Sequence, residues 1–195
     1  MNVVFRTDAS FAIGAGHLFR CMALAEELVR RGATVLFVCR TLEGHLGDEV
    51  RRRGLAVEML PAQASNPGSD ANVDSGDHNL SLEVNWQKDA QETRDVVAAL
   101  GKKPEWLIVD HYGLDSRWEE QLYGVALRIM VIDDLANRDH NCDLLLDQNL
   151  YTDADSRYID RLPSHCRQLL GPRFTLLRSE FKKRRATLRG RNGEV

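Results

Sequence analysis

Val3-Val4-Phe5, then Arg6-Thr7-Asp8, then Ile13-Gly14-Ala15-Gly16-His17 is the stretch on which the fold of this 195-residue chain turns. A short apolar run, a glycine loop and an amphipathic segment in succession describe a strand feeding a helix. From His17 to about Arg31, the residues Leu18, Cys21, Met22, Ala25, Leu28 and Val29 recur at three- and four-residue steps, one apolar stripe of a helix. Gly32 stands where a helix terminates. Thr34 to Cys39 is then continuously apolar, as buried parallel strands are.

The same alternation continues outward. His45 to Arg53 reads as a short helix closed by Gly54, Ala56 to Leu60 as a strand and Trp86 to Leu100 as a helix. Trp106 to Val109 and Ile129 to Ile132 read as strands on either side of a helix from Ser116 to Val125. Leu144 to Leu146 and Gln168 to Leu170 are short extended runs, and Leu177 to about Leu188 is a closing, heavily charged helix. Pro61 to Leu80, rich in Asn, Ser, Gly and Asp, is a long polar loop. The pattern predicts an α/β fold with a parallel sheet and helices on both faces.

Composition narrows the function. A formal charge of −3 supplies no electrostatic attraction to nucleic acid. The basic run Lys182-Lys183-Arg184-Arg185 is read as a solvated helix face. No apolar stretch approaches the roughly 20 residues needed to span a bilayer, and no basic leader precedes an apolar core, so a cytoplasmic chain with no membrane partner is expected. Cys21, Cys39, Cys142 and Cys166 are scattered without a CxxC pair, the pattern of free buried thiols in a reducing compartment.

In open parallel sheets, ligands bind beyond the carboxyl ends of the strands. Those ends are polar here: Arg6 and Asp8 after the first strand, Arg40 after the second, Asp110-His111-Tyr112, Asp133-Asp134, and Asp147 with Asn149. The Gly14 and Gly16 turn lets backbone approach a ligand, and free N–H groups at the helix start favour an anion. It is not a GxGxxG fingerprint, because Phe19-Arg20 replaces the third glycine. His17 sits on the first helical turn, where the positive end of the dipole disfavours imidazolium and leaves the ring able to accept a proton. Asp133 and Asp134 are adjacent and lack the DxD spacing; neighbours leaving a strand face opposite ways, so hydrogen bonds to a sugar, or fixing of the loop, are expected there rather than a metal. His45, His78, His111, His140 and His165 carry no informative spacing.

Several of these segments together resemble a family. Phe5-Arg6-Thr7-Asp8-Ala9-Ser10, Ile13-Gly14-x-Gly16-His17 with Arg20-Cys21, Asp110-His111-Tyr112-Gly113, Asp133-Asp134, Cys142-Asp143 with Asn149, and Leu176-Leu177-Arg178-x-Glu180-Phe181 look like the UDP-sugar hydrolases of pseudaminic acid biosynthesis. Trp86 with Asp89-Ala90 and Thr93 matches the helix that follows a variable loop there. The resemblance implies a GT-B-like fold of two Rossmann-type lobes and release of UDP from a UDP-linked 2,4-diacetamido-2,4,6-trideoxy sugar. It also implies attack of water on the anomeric carbon with inversion, without a cofactor. It implies His17 as general base, Tyr112 as an active-site residue, and Arg6, Asp8, Gly14, Gly16, Arg20, Asp110, Asp133 and Asn149 around the substrate.

Residues 1–181 are then expected to form the sugar-facing lobe, and 182–195 the start of a linker to a nucleotide-binding lobe. The contacts to uracil and most of the diphosphate are expected to lie outside this chain. Two other readings stay open on sequence: the acceptor lobe of an inverting glycosyltransferase, and a non-catalytic sugar-binding module. Oligomeric state is not legible in the sequence.

Overall fold

Every strand expected from the alternation is present in the computed structural model, which describes residues 1–63, 85–154 and 156–177. In chain order the elements are β1 (Asn2–Thr7), α1 (Gly16–Arg30), β2 (Thr34–Arg40), α2 (Gly47–Arg52), β3 (Ala56–Leu60), α3 (Trp86–Ala99), β4 (Trp106–Asp110), α4 (Ser116–Gln121), β5 (Arg128–Ile132), β6 (Leu144–Asp147) and β7 (Arg167–Leu170). The strands form one parallel sheet in the order β3-β2-β1-β4-β5-β6-β7. This is the α/β, Rossmann-like arrangement. Most of the expected 61–80 loop, the closing helix beyond 177 and the expected linker lie outside the described residues.

Alternation along each strand splits the core in two. Phe5, Phe37, Ile108, Met130 and Ile132 face α1, whose Leu18, Cys21, Met22 and Ala25 cover them. Phe5 and Phe37, paired in register, stack with centroids 4.8 Å apart. On the other face, Val4, Val38, Leu107, Val109, Val131 and Leu145 pack beneath Ala90 and Val97 of α3 and Trp118 and Leu122 beside α4. Helices therefore lie on both faces.

Two boundaries differ from expectation. The helix α2 begins at Gly47 because the His45 ring accepts from the Gly47 N–H at 3.3 Å, ahead of the helix. The helix α4 stops at Gln121, where Leu122 caps it and the chain turns back through Gly124 into β5.

The strand order reverses between β1 and β4, which pair with Thr7 opposite Asp110. Connections from the two strands leave to opposite faces there, and a crevice opens at the carboxyl edge. Beneath it lies a buried ionic layer. The Arg6 guanidinium donates to Asp89 through Nε (3.0 Å) and Nη2 (2.6 Å), and to Asp8 through Nη1 (2.6 Å) and Nη2 (2.9 Å). Arg40 Nη2 donates to the same Asp89 at 2.5 Å and Trp118 Nε1 at 3.0 Å. One carboxylate on α3 thereby ties β1, β2 and α4 together.

Burial opposes ionisation of Asp89, but Arg6 and Arg40 overcome it and hold the carboxyl at about 2, below the usual 3.8. A folded pKa below the unfolded one means that the stabilisation is complete above pH 3.8 and is lost as pH falls toward 2. Replacing Asp89 by Asn leaves two buried arginines with one carboxylate fewer, a loss of about 3–5 kcal/mol. Urea unfolding at pH 7 should show that loss, and the variant's stability should depend less steeply on pH below 4 than the wild type's.

Candidate functional site

Three positions on one face of α1 converge on the end of β4. His17, Arg20 and Cys21 stand three and four residues apart, so their side chains share a face. All three reach Asp110: His17 Nδ1 at 2.5 Å from Oδ1, Arg20 through Nε to Oδ2 (2.6 Å) and Nη2 to Oδ1 (2.7 Å), and the Cys21 thiol to Oδ2 at 3.4 Å. Asp110 is fully buried, which raises the cost of its charge, but the bonds from Arg20 and His17 hold the carboxyl well below the usual carboxylate range. Being ionised, Asp110 can only accept, so His17 Nδ1 carries the proton in that bond. Nε2 then keeps its lone pair, and no protein group bonds to it among the described residues.

His17 opens onto a cavity of about 450 Å³ at the carboxyl edge of the sheet. Its walls come from the β1–α1 loop (Asp8, Ala12, Ile13), the end of β4 (Asp110, His111, Tyr112), the end of β5 (Asp134, Leu135) and the stretch after β6 (Asn149, Tyr151). The Tyr112 ring meets His17 edge-on, 4.3 Å between centroids, and its hydroxyl donates to Asp134 Oδ1 at 2.8 Å. Burial and that bond to Asp134 raise the phenol above its ordinary value, so Tyr112 remains a neutral donor. Arg20 Nη1 donates to the second oxygen of Asp134 at 2.8 Å, closing the ring Asp110–Arg20–Asp134–Tyr112 around His17.

The loop that carries Ala12 and Ile13 is shaped locally. Gly14 N–H donates to the Ser10 carbonyl at 2.8 Å with φ of +78°, a left-handed value that favours glycine. Phe11 lies over Gly44, where a Cβ would meet its ring at 2.7 Å, so the loop seats against bare backbone. No side chain caps the start of α1 at Ala15, and no acidic residue stands in its first turn.

The expected residues divide by placement. His17, Asp8, Asp110, Tyr112 and Asn149 line the cavity. Gly14 and Gly16 form the turn behind it, and Arg20 lies beneath its floor, joining Asp110 to Asp134. Arg6 is fully buried and committed to Asp8 and Asp89, away from the cavity. Asp133 also turns inward, accepting from the Ala136 N–H at 2.8 Å and the Tyr158 hydroxyl at 3.0 Å and pairing with Arg138 at 2.9 Å. Its neighbour Asp134 takes the cavity position, as opposite-facing neighbours require.

Among the polar lining residues, the sequence gives His111, at the end of β4, no role by its spacing and does not single out Tyr151. His111 accepts the Gly113 N–H at Nδ1 (2.9 Å) and meets Asp8 Oδ2 through Nε2 (3.2 Å), so both nitrogens are engaged and it cannot share the role of His17. Tyr151 donates to the Asp134 carbonyl at 3.0 Å and stacks under Arg157. A DxD spacing does occur at Asp153-Ala154-Asp155, where Asp155 lies outside the described residues and Asp153 is not among those lining the cavity. Among the described residues, no three His, Cys, Asp or Glu side chains are grouped to hold a metal. No described helix is long and apolar enough to cross a membrane.

Compared with known proteins, the chain matches no family model. It is similar to the UDP-2,4-diacetamido-2,4,6-trideoxy-beta-L-altropyranose hydrolase of Campylobacter jejuni, 30% identical over 182 residues. That match takes in 93% of this chain and 53% of the relative, so the chain spans about half the length of the curated relative it matches. The resemblance carried by the dispersed motifs thus extends along nearly the whole sequence. Among solved structures, a glycosyltransferase from Siraitia grosvenorii in complex with UDP aligns at a TM-score of 0.40 and 14% identity, over 67% of this chain and 23% of that one.

The tautomer of His17 can be checked directly. In ¹⁵N NMR spectra at a pH where the imidazole is neutral, His17 should be protonated at Nδ1 and bare at Nε2. In Asp110→Asn that preference should weaken or invert. A neutral His17 protonated at Nε2 in the wild type would contradict the arrangement.

Proposed function

We propose that this chain carries the acid–base half of a hydrolase that releases UDP from a UDP-linked 2,4-diacetamido-2,4,6-trideoxy sugar, with His17 as general base. The observation that carries the proposal is the His17–Asp110 pair, with His17 in the lining of the cavity at the switch point of the sheet. The similarity to the Campylobacter jejuni hydrolase supports the substrate class.

In this reading a water in the cavity gives its proton to His17 Nε2 as its oxygen bonds to the anomeric carbon. The bond from that carbon to the diphosphate oxygen breaks, its electrons leave with UDP, and the anomeric configuration inverts. Asp110 accepts from Nδ1–H throughout and stabilises the imidazolium that forms. Tyr112 fixes the ring edge-on. Asn149, whose N–H donates to Asp147 Oδ1 at 3.0 Å, is held where it can bond a sugar hydroxyl or acetamido group. The apolar sides of Ala12, Ile13 and Leu135 suit the methyl groups of such a sugar.

The charge of the lining sets a division of labour. Asp8, Asp110 and Asp134 line the cavity, and no lysine or arginine among the described residues does. Such walls suit a neutral sugar and disfavour a diphosphate, whose charge needs cations or amides. The α1 N-terminus supplies amides, and the remaining grip on the nucleotide falls to the half of the relative's length that this chain does not match. Residues 1–181 then form the sugar-facing lobe, with no cofactor, in the cytoplasm.

In the complete enzyme, His17→Ala should lower kcat on the order of 10² to 10⁴ while changing KM little. Activity within about threefold of wild type would remove His17 from the mechanism. Incubating the enzyme with nucleotide sugar and no acceptor separates hydrolysis from transfer: prompt UDP release supports the hydrolase, and release only on adding an acceptor sugar overturns it. Calorimetric titration of this chain alone with UDP should give a Kd in the millimolar range or weaker, about −4 kcal/mol. Micromolar affinity would place the nucleotide grip in this lobe.

A further inference from the structure

At the amino edge of the sheet, opposite the cavity, two of the four cysteines meet. Cys142 ends the connection into β6 and Cys166 ends the connection into β7, with Sγ atoms 3.6 Å apart. The approach is held by the ladder itself: Asp143 N–H donates to the Ile129 carbonyl at 2.9 Å and Arg167 N–H to the Asp143 carbonyl at 2.9 Å. The neighbouring strands bring both thiols to one line, so no segment has to move far to join them.

The two sulfurs differ in access. Cys166 is only half-buried, and its contact with Cys142 draws its thiol below the ordinary value; that same contact, with burial, pushes the Cys142 thiol up. A cavity of about 500 Å³, with Lys103, Arg128 and His165 in its walls, opens beside Cys142. The other two thiols are closed off. Burial drives Cys21 well above the ordinary thiol value and Cys39 up to about 12, and both are buried. Reactivity follows thiolate character and access, which single out Cys166 as the nucleophile.

We infer that Cys142 and Cys166 are a reversible oxidation site, closing to an intramolecular disulfide when the chain meets a peroxide. The Cys166 thiolate attacks one oxygen of hydrogen peroxide and the O–O bond breaks, leaving a sulfenic acid and a hydroxide that takes up a proton. The Cys142 sulfur then attacks the Cys166 sulfur, and the sulfenic oxygen departs as water with the Cys142 proton. Two thiols lose two electrons in all, and one peroxide becomes two waters. The bridge would span the segment that carries Asn149 and Tyr151 of the cavity wall, while the bond itself forms at the other end of the sheet. The site does not depend on the reaction assigned to the cavity.

The test is peptide mapping of the intact chain after graded hydrogen peroxide and thiol blocking. A Cys142–Cys166 cross-linked peptide should appear first, disappear with dithiothreitol, and leave Cys21 and Cys39 reduced. The oxidised chain should melt roughly 5 to 10 °C higher, since closing the loop restricts the unfolded chain. In Cys142→Ser, Cys166 should accumulate as a sulfenic acid trapped by dimedone. Oxidation of all four thiols at similar rates, a disulfide between two chains, or no dimedone adduct on Cys166 in that variant would each overturn the inference.

Discussion

Asp110 is a carboxylate with no exposure to water, placed at the end of a central strand and met by four donors from a single helix. A buried charge of this kind is tolerable only when its partners are held in place, because losing one leaves an uncompensated ion. Arg20 answers both oxygens in the bidentate geometry that guanidinium and carboxylate share. The consequence runs in two directions. Inward, the pair fixes the rotation of α1 on the sheet, since Leu18, Met22 and Ala25 can fill the core only when Arg20 and His17 point at β4. Outward, it fixes the tautomer of His17 and the direction of its free nitrogen. Packing and chemistry are therefore set by the same carboxylate.

A second ionic layer does for the floor what the first does for the histidine. Arg6 sits one residue beyond the apolar run of β1, on the α3 face, where a hydrophobic side chain would otherwise be expected. Its guanidinium makes two bonds to Asp8 and two to Asp89, with a fifth from Nη1 to the Val38 carbonyl at 3.5 Å, and Asp8 accepts further from the Arg40 N–H at 2.7 Å and pairs with His111. Burial opposes the charge of Asp8, but Arg6 and the bond from His111 overcome it and hold the carboxyl well below the usual carboxylate range, so it remains an acceptor at the cavity edge. His111 is engaged at both nitrogens. Two histidines in one cavity lining thus differ: each meets a carboxylate at one nitrogen, but the other nitrogen of His111 accepts a backbone N–H, whereas Nε2 of His17 has no protein partner among the described residues.

Much of this was legible in the sequence where the signal is periodic. The apolar runs placed all seven strands within a residue or two, and the three- and four-residue stripe placed α1, because burial of one face leaves an unmistakable spacing. The polar clusters at the strand ends include most of the polar residues that line the cavity. What periodicity cannot show is which of two polar neighbours turns outward. Asp133 and Asp134 are identical as letters, and only the end of β5 decides that the first pairs with Arg138 and Tyr158 while the second faces the cavity. Arg6 reads like a substrate ligand until Asp89, eighty-three residues away, is found beside it. His111 and Tyr151 had no spacing to betray them, since their roles come from single contacts formed between distant elements. The apolar stripe of α1 also concealed that His17, Arg20 and Cys21 share a face, because the polar members were read one by one.

The absence of a cation from the cavity lining has a further consequence for how such a site would work. The arginines close to it are engaged: Arg6 and Arg20, beneath the floor, by Asp8, Asp89, Asp110 and Asp134, Arg138 by Asp133 and the His111 carbonyl, and Arg157 by the Asp134 carbonyl. Their role is to make a wall of acceptors sustainable, and an acceptor-rich wall binds hydroxyl and amide N–H groups. A sugar held only by such bonds, each worth about 0.5–1.5 kcal/mol net, is held weakly. Positioning its anomeric carbon against His17 then requires binding energy from a remote part of the substrate, and in a nucleotide sugar that part is the nucleotide. A lobe that concentrates its charges on fixing one histidine and one acceptor surface leaves the diphosphate to be gripped elsewhere, so that chemistry begins only when both ends of the substrate are engaged.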